Sequence, residues 1–112
     1  MDDIEHLLHE AVEKFNAKVH QDARLQEELE GIERTVVLRL SNGAAYNLRI
    51  EGGRLSGLSK GDVAEAEVVV ESDAATIAAL LRKEMGPMKA FALRKVRVKA
   101  DLEDIVRLRR FF

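Results

Sequence analysis

Histidine and glutamate recur at spacings of three and four near the start of the chain, at His6, His9, Glu10 and Glu13. On a helix those spacings put the side chains on one face, from which imidazoles and a carboxylate can hold a divalent metal. A metal site also needs ligands converging from a second element, and none is evident in the sequence; His20 has no sequence partner at all. A solvated helix face with histidines beside glutamates is the preferred reading, and no metal is expected. Hydrolytic chemistry is no better supplied. A nucleophile needs a base, and Ser41, Ser56, Ser59 and Ser72 all fall in predicted turns or at a helix cap, which explains them without catalysis. Carboxylates are abundant but are assigned to caps and polar faces. The chain has no cysteine, so disulfides, thiolate metal sites and cysteine nucleophiles are excluded. Its seven glycines are scattered and form neither a phosphate loop nor a dinucleotide fingerprint. Neither a catalytic residue nor a cofactor is expected.

What remains is apolar surface. Leu80, Leu81, Met85, Met88, Phe91 and Leu93 cluster around Pro87, and Leu102, Ile105, Leu108, Phe111 and Phe112 follow in the last helix and tail. Taken alone, these residues read as ordinary core.

The elements that must position them are legible from periodicity. Ile4, Leu7, Leu8, Ala11, Val12, Phe15 and Val19 form one stripe of a helix running from about Asp3 to His20. A short helix from Asp22 to Glu30 is expected to end at Gly31. From Glu33 the period changes to two. Val36, Leu38 and Leu40 share one strand face, Asn42-Gly43 reverses the chain, and Tyr46, Leu48 and Ile50 return. After Glu51-Gly52-Gly53 comes a weaker third strand, Arg54 to Leu58, with a loop from Ser59 to Asp62. Val68-Val69-Val70 reads as a buried strand, and Ser72-Asp73 supplies the cap of a helix through Ala78 and Leu81 that stops near Met85-Gly86-Pro87-Met88. A last strand, Lys95 to Lys99, precedes a helix from Asp101 to Arg109. Strands with one polar and one apolar face need helices on the dry side. The expected architecture is therefore α+β: a two-layer sandwich with a five-stranded, mostly antiparallel sheet and helices covering one face.

A chain of 112 residues, 46% hydrophobic, is expected to form one domain spanning 1–112. No apolar run approaches the roughly 20 residues that cross a bilayer. The start, Met1-Asp2-Asp3-Ile4-Glu5, is acidic where a signal peptide would be basic. A cytoplasmic protein is expected. Charge is uneven: residues 1–81 hold 8 basic and 16 acidic side chains, residues 82–112 hold 10 basic and 4 acidic, so −8 faces +6. The basic end is suited to transient contact with an anionic membrane surface, although solvated faces explain it as well. Nucleic acid is not an expected partner, since the net charge is −2 and only 4% of residues are aromatic.

The order from Ala66 to Asp101, with an Asp-capped helix, the turn Met85-Gly86-Pro87-Met88, Phe91 shortly after, and the strand Lys95-Val96-Arg97-Val98-Lys99, resembles the sterol carrier protein family. That family ends its strand in a Gly-Lys-Leu-Lys-Ile-x-Gly-Asp-like sequence. The likeness covers the chain well from Glu33 onward. This chain departs from it with Arg94-Lys95 for Gly-Lys and Ala100-Asp101 for Gly-Asp. The resemblance implies non-catalytic binding or transfer of a lipid, fatty acyl chain or isoprenoid in an apolar tunnel between helices and sheet. It implies Leu80, Leu81, Met85, Met88, Phe91, Leu102, Ile105 and Phe112 as apolar wall, and Arg109 and Arg110 as membrane or headgroup contacts. The alternative is a structural or interaction module of the same fold with a filled cavity, acting as a homodimer or with a partner protein. Monomer and homodimer both remain open at this point.

Overall fold

The computed structural model describes residues 3–110, and residues 108–110 by their backbone alone. Its elements run α1 (Ile4–His20), α2 (Ala23–Leu29), β1 (Arg34–Leu40), β2 (Ala45–Glu51), β3 (Arg54–Lys60), β4 (Val68–Ser72), α3 (Ala74–Leu81), α4 (Pro87–Ala92), β5 (Val96–Lys99) and α5 (Leu102–Arg110). The five strands lie in the order β3-β2-β1-β4-β5. Three pairings are antiparallel, and β1 runs parallel to β4. The expected α+β fold with a mostly antiparallel sheet is thus present.

Register divides the sheet into two faces. Val36 pairs with Leu48 and Val68, Leu38 with Tyr46 and Val70, and Val70 with Val98. Residues directly opposite share a face, so these side chains form one apolar surface. Helices α1 and α3 cover part of it. Ile4, Leu40, Tyr46, Ile77 and Ala78 make the buried cluster, with Leu7, Leu8, Leu38, Leu58, Leu80 and Leu81 packed around it. The other face carries Arg39, Asn47, Arg49 and Glu71, yet it is not wet throughout, because Val37 there is completely buried. The chain must travel from edge strand β3 past β2 and β1 to reach β4, and it crosses this face. Arg39 Nε donates to Asp62 Oδ1 at 2.9 Å and Asn47 Nδ2 to the Gly61 carbonyl at 3.0 Å, holding the crossing segment in place.

Edge strand β3 is closed by a side chain. Asn16 of α1 donates from Nδ2 to the Leu55 carbonyl at 2.9 Å and accepts from the Leu55 amide at 2.8 Å. It does for β3 what a neighbouring strand would do, and it blunts the edge against pairing with another chain. The β2–β3 turn places Gly52 at φ +60° and Gly53 at φ +75°, two consecutive left-handed residues of the tight hairpin type that glycine adopts without steric cost.

The segment after β4 differs from the sequence expectation. Helix α3 ends at Leu81, before the Met-Pro turn, and Lys83 follows at φ +61°. Pro87 then begins a second helix rather than only ending the first, since at the first helical position its missing N–H has no partner to lose. Phe91 therefore lies on α4. Arg94, which replaces the glycine of the resembled strand pattern, has φ +59°. Strand β3 also runs to Lys60, past a register shift between Asn47 and Arg49 that accommodates its irregular pairing.

Asp73 caps α3 with both oxygens: Oδ1 accepts from the Thr76 amide at 2.7 Å and Oδ2 from the Thr76 hydroxyl at 2.8 Å. The amide bond first, then the hydroxyl, holds its carboxyl below the usual aspartate range. A depressed folded pKa contributes stability that is present above the unfolded value, near 4, and is lost as pH falls through the folded value. Asp73→Ala is expected to cost about 1 kcal/mol at neutral pH. In Asp73→Asn the acid limb of a thermal-stability profile should lose this contribution; an acid limb identical to that of the unmodified chain would show that the cap does not titrate as described.

Candidate functional site

The apolar sheet face is only partly covered. Val36, Leu38, Leu48, Ile50, Leu55, Val70 and Val98 are half-buried, although hydrophobic and in regular strands. Between α1 and the sheet a half-open pocket of about 30 Å³ is lined by Leu8, Val36, Leu38, Tyr46, Leu48 and Leu58, with Asn47 at its side. That is room for about one water, not for an acyl chain. A larger open cleft of about 950 Å³ lies where α1 and α2 approach the β2–β3 turn. Its lining, which includes Asn16, His20, Gln26, Glu30 and Arg54, mixes polar with apolar groups and contains none of the expected wall residues. Size alone would favour this cleft; the chemistry of the lining favours the sheet face for an apolar ligand.

The expected wall residues divide into two groups. Leu80 and Leu81 pack against the buried cluster, and Met85 and Ile105 are half-buried. Met88 is 62% exposed, Phe91 43% and Leu102 77%, with Leu93 and Val106 also exposed. These are large apolar side chains that the described fold does not bury. Phe112, and the side chains of Arg109 and Arg110, lie outside the described residues.

Helix α5 is held by charge. Asp104, buried on α5, accepts from Arg34 Nε at 2.9 Å and from Arg107 Nη1 at 2.7 Å. Arg34 reaches it from the first residue of β1, so the pair ties the last helix to the central strand. The hydrogen bond to Asp104 is the main reason the Arg34 guanidinium is held protonated more firmly than usual; burial opposes it. Arg107 Nε is buried with no partner among the described residues. Asp104 departs from the expectation that carboxylates sit at caps and on solvated faces. Asp104 and Arg107 are three apart on a helix, which is a readable signal, but Arg34 is 70 positions away in the chain.

The N-terminal histidines face solvent. His6 Nε2 is 3.0 Å from Glu10 Oε1 on the exposed side of α1, and among the described residues no three His, Cys, Asp or Glu side chains converge as a metal-binding group. No helix among the described residues is long and apolar enough to cross a membrane.

A five-stranded sheet in this order, with helices over its apolar face, defines an α+β fold, and the comparisons with known proteins place it in a family. The sequence pattern of the SCP-2 sterol transfer family matches residues 12–112, and the chain belongs to that family. Among solved structures, it is similar to the sterol carrier protein domain 2 of Helicoverpa armigera, with TM-score 0.67 and 12% identity over 94% of this chain and 84% of that one. It is similar to a protein described as UbiJ-SCP2, a ubiquinone synthesis protein, with TM-score 0.63 and 10% identity over 96% and 89%. It is also similar to part of the sec-alkylsulfatase Pisa1 from Pseudomonas sp., with TM-score 0.57 and 16% identity over 71% of this chain; it spans 13% of the sulfatase. At these identities the likeness establishes the fold. No curated protein matches the sequence significantly.

Proposed function

We propose that the protein binds a hydrophobic ligand, a lipid, fatty acyl chain or isoprenoid, against the half-covered apolar face of its sheet, without making or breaking a bond. The observation that carries this reading is the conjunction of that face with unburied Met88, Phe91 and Leu102 on the two helices that follow α3. In this reading Leu80, Leu81, Met85 and Ile105 form the wall, and Met88, Phe91, Leu102 and Phe112 the mouth. Arg109 and Arg110 contact a headgroup. Methionine suits such a wall because its unbranched, polarizable chain adapts to different shapes. Because the pocket under α1 is so small, the ligand enters by moving helices away from the sheet.

Magnitudes permit this. Burying one CH₂ gains ~0.8 kcal/mol, so a sixteen-carbon chain gains up to ~13 kcal/mol before association costs. Micromolar affinity needs only about 8 kcal/mol of that. Phe91→Asp is expected to weaken uptake of a fluorescent fatty acid by about tenfold, roughly 1.4 kcal/mol, and Arg110→Ala far less. Equal binding by the two variants would remove α4 from the mouth.

The 30 Å³ cavity favours a second reading, an interaction module whose core is already filled and whose exposed apolar side chains meet a second copy or a partner protein. It predicts no lipid in the purified protein, and a change of oligomeric state when Phe111 and Phe112 are deleted.

A further inference from the structure

Residues 82–99 carry seven basic side chains and one acidic one, Glu84, a net charge of +6. Helix α4 lies at the centre of this stretch. Ala90 is completely buried, so helical spacing turns Met88 and Ala92 away from the protein and sets Phe91 and Lys89 on the flanks. Leu93, just past the helix, is 52% exposed. Lys83, Lys89, Arg94 and Arg97 are exposed as well, and none makes an ion pair among the described residues.

The backbone gives a second, independent observation. Lys83 and Arg94 both have positive φ, at +61° and +59°, and they close the ends of α3 and α4. The amide of Lys83 donates to the Leu80 carbonyl, and those of Arg94 and Lys95 to Phe91 and Ala90. Glycine adopts this conformation without steric cost, whereas a side chain is strained in it. A helix C-terminus favours a nearby cation, but Arg82 and Lys89 already supply one at each end without positive φ. Local folding thus gives no reason for long cations at the two strained positions that bracket α4.

We propose that α4 and its two flanking caps form a docking surface for an anionic lipid bilayer, with Met88, Phe91 and Leu93 entering the interfacial region and Lys83, Lys89 and Arg94 lying against the phosphates. Apolar side chains interlaced with cations match the boundary between headgroups and acyl chains. A protein interface would instead exclude charge, lysine above all, from an apolar centre. The surface goes beyond the proposed ligand site, and it is measured with no ligand present.

The test is cosedimentation with vesicles of phosphatidylcholine alone and of phosphatidylcholine with phosphatidylserine, at low and high salt. Association is expected on the anionic vesicles at low salt, with loss at high salt and none on neutral vesicles. Lys83→Gly and Arg94→Gly should each weaken it about fivefold, the equivalent of about 1 kcal/mol per cation at such a surface. Leu93→Ser should weaken it too. The glycine variants should keep or raise the thermal midpoint, because they relieve positive-φ strain, and all three variants should bind a soluble fatty acid as the unmodified chain does. Failure of the unmodified chain to associate with anionic vesicles at low salt overturns the proposal and leaves an acidic protein as the partner for this patch. Undiminished association of the two glycine variants overturns it as well.

Discussion

Replacing Leu48 by aspartate is expected to lower affinity for a long-chain acyl ligand at least a hundredfold while the protein remains folded. Leu48 sits on β2 opposite Val36, half-buried, and lines the small apolar cavity with Leu8, Leu38, Tyr46 and Leu58. In the free protein a carboxylate there still reaches water, so the cost to folding is modest. Under a bound acyl chain the same carboxylate loses its solvent and gains no partner, a penalty of several kcal/mol. About 2.7 kcal/mol already corresponds to a hundredfold. Leu48→Met, which keeps volume and polarity, should bind within a few-fold of the unmodified chain. Titration with a fluorescent fatty acid beside a circular dichroism melt separates binding from folding. Unchanged affinity in the aspartate variant would mean that the ligand does not lie on this face.

The second large effect concerns the last helix. Asp104→Asn removes the charge shared by Arg34 and Arg107 and leaves two guanidinium groups facing each other in a largely buried site. Breaking a buried pair by removing one partner costs about 3–5 kcal/mol, and the partial exposure of Arg34 brings the expected value to about 3 kcal/mol. The loss should be local first: amide exchange over residues 102–107 should accelerate well before that of α3. Replacing all three residues together, as Arg34→Met, Asp104→Leu and Arg107→Leu, should restore much of the stability, because packed apolar groups avoid the desolvation cost. An Asp104→Asn protein with unaltered exchange in α5 would show that the ion pairs do not hold the helix.

These two sites differ in how far the sequence reveals them. The apolar face was legible, because Val36, Leu38 and Leu40 fall at a period of two, Tyr46, Leu48 and Ile50 alternate with Asn47 and Arg49, and Asn42-Gly43 fixes the register of the return. Helix α1 was equally legible from its three- and four-residue stripe. The parallel pairing of β1 with β4 was not, since nothing in a strand's own pattern says which distant strand it will lie beside. The buried Val37 follows from that topology, because the segment crossing from β3 to β4 lies over the polar face beside Arg39 and Asn47. In the sequence Pro87 signals the end of a helix, yet its fixed φ suits a helix start equally well, which is why α4 does not stand out from the pattern. Periodicity likewise could not separate core from mouth: Leu80 and Leu102 both fall on apolar stripes, yet Leu80 packs inward and Leu102 is 77% exposed. That difference depends on how many helices reach the sheet, which is a property of the whole assembly of elements.

Native mass spectrometry of the purified protein, followed by organic extraction and lipid analysis of the extract, tests ligand binding most directly. The proposed function predicts a stoichiometric acyl or isoprenoid species bound to the protein and recovered in the extract. A clean ligand-free mass, together with no saturable uptake of added fatty acid, would contradict it and identify the filled-core interaction module as the correct reading.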